Sequence, residues 1–195
     1  MLVESVYGRY RNFWRRFWAA FIDGIILYPV SWMDQWMWSL GLPIPFLVLS
    51  FLISNTIGVV YSVVLHGLFG QTVGKRAVGV RVYDVSGGRL SFRQAVLRDC
   101  FPIVMYILTV VEGLPVVISG DNPYDAASVA EWAMSPWTLA LVWSSVIWLV
   151  LELTTMFLNP YRRALHDLIA GSVVMRVPSA GEALASETDG ARQEV

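Results

Sequence analysis

Hydrophobic positions along this chain fall into long unbroken runs rather than short periodic stripes. Ile44 to Leu65 carries no charge, Trp137 to Leu158 only Glu152, and Cys100 to Ile118 only Glu112. Phe17 to Met33 is interrupted by Asp23 and extends toward Leu40. A helix needs about 20 mostly apolar residues to cross a bilayer. The pattern therefore predicts an all-α membrane protein with four transmembrane helices, at about 17–38, 44–65, 100–118 and 137–158. Buried helices of a soluble core are excluded, because four such runs leave too little polar surface to cover them.

Between the second and third runs the period changes. Val78, Val80 and Val82 alternate with Gly79 and Arg81, which suits a short strand. Asp84-Val-Ser-Gly-Gly reads as a turn, and Ser91 with Gln94 forms a capping box that starts a helix leading into the third span. After Pro160, residues 162–170 predict a short amphipathic helix at the membrane surface, with Leu165, Leu168 and Ile169 on its apolar face and Gly171 ending it. Residues 1–177 form the membrane domain. The tail from 178 to 195 is small, polar and acidic, and disorder is expected there.

Composition agrees with this layout. Hydrophobic residues make up 56% and charged residues 15%, below the roughly 25% charge of soluble chains, and the nine tryptophans suit membrane interfaces. Charge placement then sets the orientation. The fourteen Lys and Arg fall before the first span, between the second and third, and after the fourth. The connections 34–45 and 119–136 contain none. Basic residues near span ends stay in the cytoplasm, so both termini and the structured loop are expected there. Arginines precede the first run as in a signal peptide, but Asp23 interrupts its apolar region and no small-residue cleavage site follows.

Candidate chemistry is sparse. The stretch "GQTVGKR" has the first glycine of a phosphate-binding loop one residue too late, with Arg76 at the hydroxyl position. His66 and His166 lack partners at metal-ligand spacing, and no nucleophile pattern occurs, so no enzyme, cofactor, metal or nucleic-acid partner is expected. Cys100 is alone and forms no disulfide within the chain. What remains are ionisable groups inside the spans, each of which needs a reason for its cost. Asp23 lies about 9 Å into the first span, with Arg16 two turns earlier on the same face. Ala20 between them permits close helix approach. Glu152 lies at a similar depth in the fourth span, and Glu112 lies past the midplane of the third. The three carboxylates read either as the start of a proton or cation path or as packing groups that bond neighbouring hydroxyls and arginines.

Together these residues resemble the RDD family of bacterial membrane proteins. "RFWAAFID" supplies Arg16 and Asp23, and "RRALHDLIAGSVV" supplies Asp167. "GQTVGKR", "GVRV", "GGRLSF" and "LRD" resemble the family's cytoplasmic loop, and Ser172 stands where the family usually has threonine. The resemblance spans roughly residues 9–177 and implies transport of an undefined ligand. The expectation is a small inner-membrane transporter or transport subunit for cations or protons, working as a homo-oligomer or with a membrane-protein partner. The alternative is a non-transporting adaptor whose basic face, with Lys75, Arg76, Arg81, Arg89 and Arg93, holds a protein or anionic lipid.

Overall fold

The structure, a computed structural model, describes residue 10 and residues 12–177. The expected tail lies outside them. Four long helices are present: α1 (Phe13–Ser39), α2 (Ile44–Phe69), α5 (Cys100–Ser119) and α7 (Pro136–Leu158). Between α2 and α5 lie α3 (Val73–Ala77), β1 (Val80–Asp84) and α4 (Phe92–Arg98). α6 (Ala126–Met134) precedes α7, and α8 (Leu165–Ile169) and β2 (Ser172–Arg176) follow it.

Three of these helices, α2, α5 and α7, are long and apolar enough to cross a membrane. α1 is longest at 27 residues but carries Arg15, Arg16, Asp23 and Asp34, which lower its hydropathy. It is thus set apart from the other three, as its shorter run, interrupted by Asp23, already sets it apart in the sequence. The helix ends have local causes. Pro45 and Pro136 lie in the first turns of α2 and α7, where a missing N–H costs nothing. Gly70 closes α2 in the left-handed region (φ 68°), its N–H donating to the His66 carbonyl at 2.8 Å.

α1 packs on α2, and α2 on α5. α7 meets α5 through a parallel stack of Trp148 on Phe101, 4.3 Å between ring centres. One apolar cluster, Leu47, Phe51 and Val117, forms the core at the end where α1 turns into α2. The basic end carries a second core, built like that of a small soluble domain. There β1 and β2 pair antiparallel, Val80 opposite Arg176 through Asp84 opposite Ser172. Val80, Val82 and Val174 from this sheet pack with Leu90 and Ala95.

Several local expectations are corrected. The strand at Val80–Asp84 forms, and it pairs with β2, a strand not expected from the sequence. The amphipathic helix expected at 162–170 spans only Leu165–Ile169, and the side chain it buries is Asp167. Ion pairing through Asp167 seats it against the bundle, and Leu168 and Ile169 are left facing outward. The connection 119–136 contains α6, where no helix was expected. Asp34, assigned to a connection, lies within α1 and is buried.

Candidate functional site

The basic end of the bundle encloses a cavity of about 290 Å³. Two of the carboxylates singled out in the sequence face it: Asp23 from α1 and Glu152 from α7. Arg16 lines it as well, and Asp167 lies directly behind, bonded to Arg16. Glu112 does not belong to it. That carboxylate accepts from Thr138 Oγ1 at 2.9 Å, across the α5–α7 contact near the start of α7.

Arg16 and Asp23 line the same cavity from one face of α1 but bond to different partners. Arg16 Nε donates to Asn12 Oδ1 (2.9 Å) and Nη1 to Asp167 Oδ2 (2.6 Å), while Nη2 is buried without a partner among the described residues. Asp23 turns instead to the basic loop. Its Oδ1 accepts from Tyr61 Oη and the Gly74 N–H, both at 2.7 Å, and its Oδ2 from Thr72 Oγ1 at 2.6 Å. Here lies the reason for the glycine-rich "GQTVGKR". Thr72 caps α3, and Gly74 sits against the Ala19 carbonyl, where a Cβ would overlap the oxygen. The small residue allowing close approach on α1 is Ala19, not Ala20; Ala20 lines the cavity.

Asp167 has no solvent exposure. Arg16 and Arg98 both donate to it, as do Ser172 Oγ (3.3 Å) and the Ala164 N–H (3.1 Å). Burial opposes its ionisation, but the Arg98 and Arg16 guanidiniums outweigh burial and hold its carboxyl well below the usual carboxylate range. Asp167 therefore stays charged as the junction of α1, α4, α8 and β2.

Two histidines face the cavity in parallel arrangements that sequence spacing concealed. His166 Nε2 lies 2.7 Å from Arg98 Nη2, and its Nδ1 lies 2.6 Å from Glu152. A guanidinium only donates, so Nε2 accepts and Nδ1 carries the proton given to Glu152. Burial and then the Arg98 charge push the His166 pKa down. His66 Nε2 meets Lys75 Nζ, while its Nδ1 contacts Ser62 Oγ (3.2 Å), which donates to Asp99 at 2.8 Å. Burial, with Arg98 next, depresses the Lys75 pKa well below the ordinary lysine value. Lys75 thus turns into the cavity and does not face lipid as the sequence reading had it.

Arg98, Asp99, His66 and Lys75 were missed as site residues. Arg98 and Asp99 are the last polar pair before the apolar run of α5, a placement that sets them apart from the other loop charges. Asp34 was missed as well. At the other end of the bundle it accepts from the hydroxyls of Ser50, Ser54 and Tyr124. Among the described residues no group of three or more His, Cys, Asp or Glu is placed to hold a metal ion.

Among curated proteins and solved structures, nothing matches this chain. The sequence model of the RDD family matches residues 10–171, a stretch that holds Arg16, Asp23, the basic loop and Asp167. The chain therefore belongs to the RDD family, and with its three long apolar helices it is a multi-pass membrane protein.

Proposed function

We propose that the protein is a small inner-membrane transporter, or the transport subunit of an assembly, that moves protons or small cations. The observation that carries this reading is the cavity itself. It joins Asp23 of α1 and Glu152 of α7, which lie far apart in sequence, with Asp99, His66, His166 and Lys75. Intramembrane ionisable groups are costly, and gathering them around open space rather than in a closed contact suits reversible exchange of a proton or cation. In this reading α1 is the fourth span and the arginine-rich end faces the cytoplasm, in line with the segregation of Lys and Arg. The wide apolar exposure of α1 and α7 suits contact with the bilayer, and so narrow a bundle makes a pathway completed by further copies or a partner helix the simpler arrangement. Glu112 and Asp34 lie outside the cavity and serve packing.

A second reading rests on the sheet and α4, which build a folded cap with its own core. Arg76, Arg89 and Arg93 project from the loop that carries it. Such a cap suits an adaptor that docks a partner.

Flux measured in proteoliposomes under a pH gradient separates the two. Asp23→Asn and Glu152→Gln keep size but cannot ionise; at Asp23 the amide keeps one acceptor oxygen for Tyr61 and Gly74 and turns a donor toward Thr72, so folding is checked alongside flux. Loss of pH-driven flux with normal folding supports transport. Absence of any flux from the wild-type protein, across several cations, would overturn it.

A further inference from the structure

A second cavity, of about 410 Å³, opens between the start of α1 and the end of α7. It is separate from the first cavity, and its charged lining is of one sign. Phe13, Trp14, Met156 and Phe157 supply an apolar lining, and Arg15 and Arg162 supply charge; no acidic residue lines it among the described ones. Phe13 and Phe157 close its floor, their ring centres 5.5 Å apart.

Both arginines are left with donors to spare. Arg15 Nη1 donates to the Val78 carbonyl, and Arg162 Nη1 to the Phe157 carbonyl at 3.3 Å. Neither has a carboxylate within ion-pair distance among the described residues, whereas Arg16 and Arg98 are both committed to Asp167. Arg162 also has an unusual backbone. At φ 51° it is the non-glycine residue with positive φ among the described residues, a conformation that glycine adopts without penalty and arginine does not. The strained backbone holds the guanidinium 5.8 Å from the Phe157 ring centre, at the rim of the cavity. Strain of this kind clusters at ligand clamps and other functional positions.

Two guanidiniums without a carboxylate partner among the described residues, beside Phe13 and Phe157, match an anion attached to an apolar tail. Guanidinium binds phosphate through paired, charge-assisted hydrogen bonds. Trp14, Phe17, Phe157 and Leu158 are all exposed beside the cavity, and on a membrane protein such side chains lie against acyl chains. We infer that this cavity binds one phospholipid with an anionic headgroup, its phosphate between Arg15 and Arg162 and the top of an acyl chain along Phe13, Trp14 and Phe157. This assignment does not depend on transport, and it names residues outside the loop arginines.

The test uses the full chain released from detergent in native mass spectrometry, with phosphatidylglycerol and phosphatidylcholine supplied together. The wild-type protein should retain phosphatidylglycerol preferentially. Arg162→Gly removes the charge and relieves the backbone, so it should weaken that retention roughly fivefold while melting temperature without lipid holds or rises. Arg15→Gln should act in the same direction, and should it misfold through loss of the Val78 contact, Arg162→Gly and Arg162→Gln carry the result. Equal retention of both lipids, an unchanged preference in the Arg162 variants, or loss only in Arg89→Gln/Arg93→Gln would overturn the site. Displacement of the lipid by inorganic phosphate at similar concentration would assign it to free phosphate instead.

Discussion

Arg16 and Asp167, 151 positions apart in the chain, meet as an ion pair with 2.6 Å between Nη1 and Oδ2. Asp167 is fully buried and also receives Arg98, so one carboxylate bridges two cations, one from α1 and one from α4. Buried charge is tolerated only where it is paired. The contact therefore ties the first long helix to the last folded segment.

This arrangement makes the three residues unequal. Asp167→Ala leaves two buried guanidiniums facing each other and should cost about 3–5 kcal/mol. Arg16→Ala should cost less, because Arg98 still serves the carboxylate. The double variant should be less damaged than the sum of the singles by more than about 1 kcal/mol. Denaturant unfolding in detergent measures all three, and strict additivity would show that the pair does not couple.

Acid should weaken the fold through His166. Its folded pKa lies below the ordinary histidine value, so the folded chain resists a proton that the unfolded chain accepts. Stability is then fully present above about pH 6.5 and falls as pH drops below it. His166→Gln keeps a donor toward Glu152 and an acceptor toward Arg98 without titrating. Its melting temperature should vary less between pH 7 and pH 5 than that of the wild type; an identical slope would assign the effect elsewhere.

Glycine-to-alanine changes in two places should have opposite signs. At Gly74 the new methyl meets the Ala19 carbonyl and the Asp23 carboxylate, and destabilisation of about 1–3 kcal/mol is expected. At Gly24, within α1, nothing lies within 4 Å, and alanine should stabilise by about 0.5–1 kcal/mol. Equal effects at both sites would refute the close approach of α3 to α1.

Tyr124→Phe removes one hydroxyl donor from buried Asp34 while Ser50 and Ser54 remain. A single hydrogen bond contributes about 0.5–1.5 kcal/mol net, so a loss in that range is expected on thermal unfolding. No loss would mean that the two serines suffice.

Orientation is open to direct labelling. In a Cys100→Ala background, cysteine at Ser128 should react with an impermeant thiol reagent added outside cells, and cysteine at Ser86 should not. Reversed labelling would invert the proposed topology.

Much of this protein is written locally in its sequence. Long apolar runs specify α2, α5 and α7 because transfer into a bilayer sums residue by residue along one segment. Ser91 and Gln94 cap α4 as their spacing predicts, since both bonds lie within four residues. Val80 and Val82 alternate inward from a run of five. What the tertiary structure alone decided is which distant segments meet. Val174 looks like the end of a chain until β1 pairs with it, and only then does the cap have a core. Arg98 reads as one more topogenic arginine among its neighbours, yet it is the one buried against Asp167, because burial depends on what packs above it. Likewise Asp23 and Glu152 share a depth in sequence terms, but their shared cavity exists only because α3 inserts against Ala19. Local chemistry sets which residues enter the membrane; long-range pairing of buried charge sets where they meet.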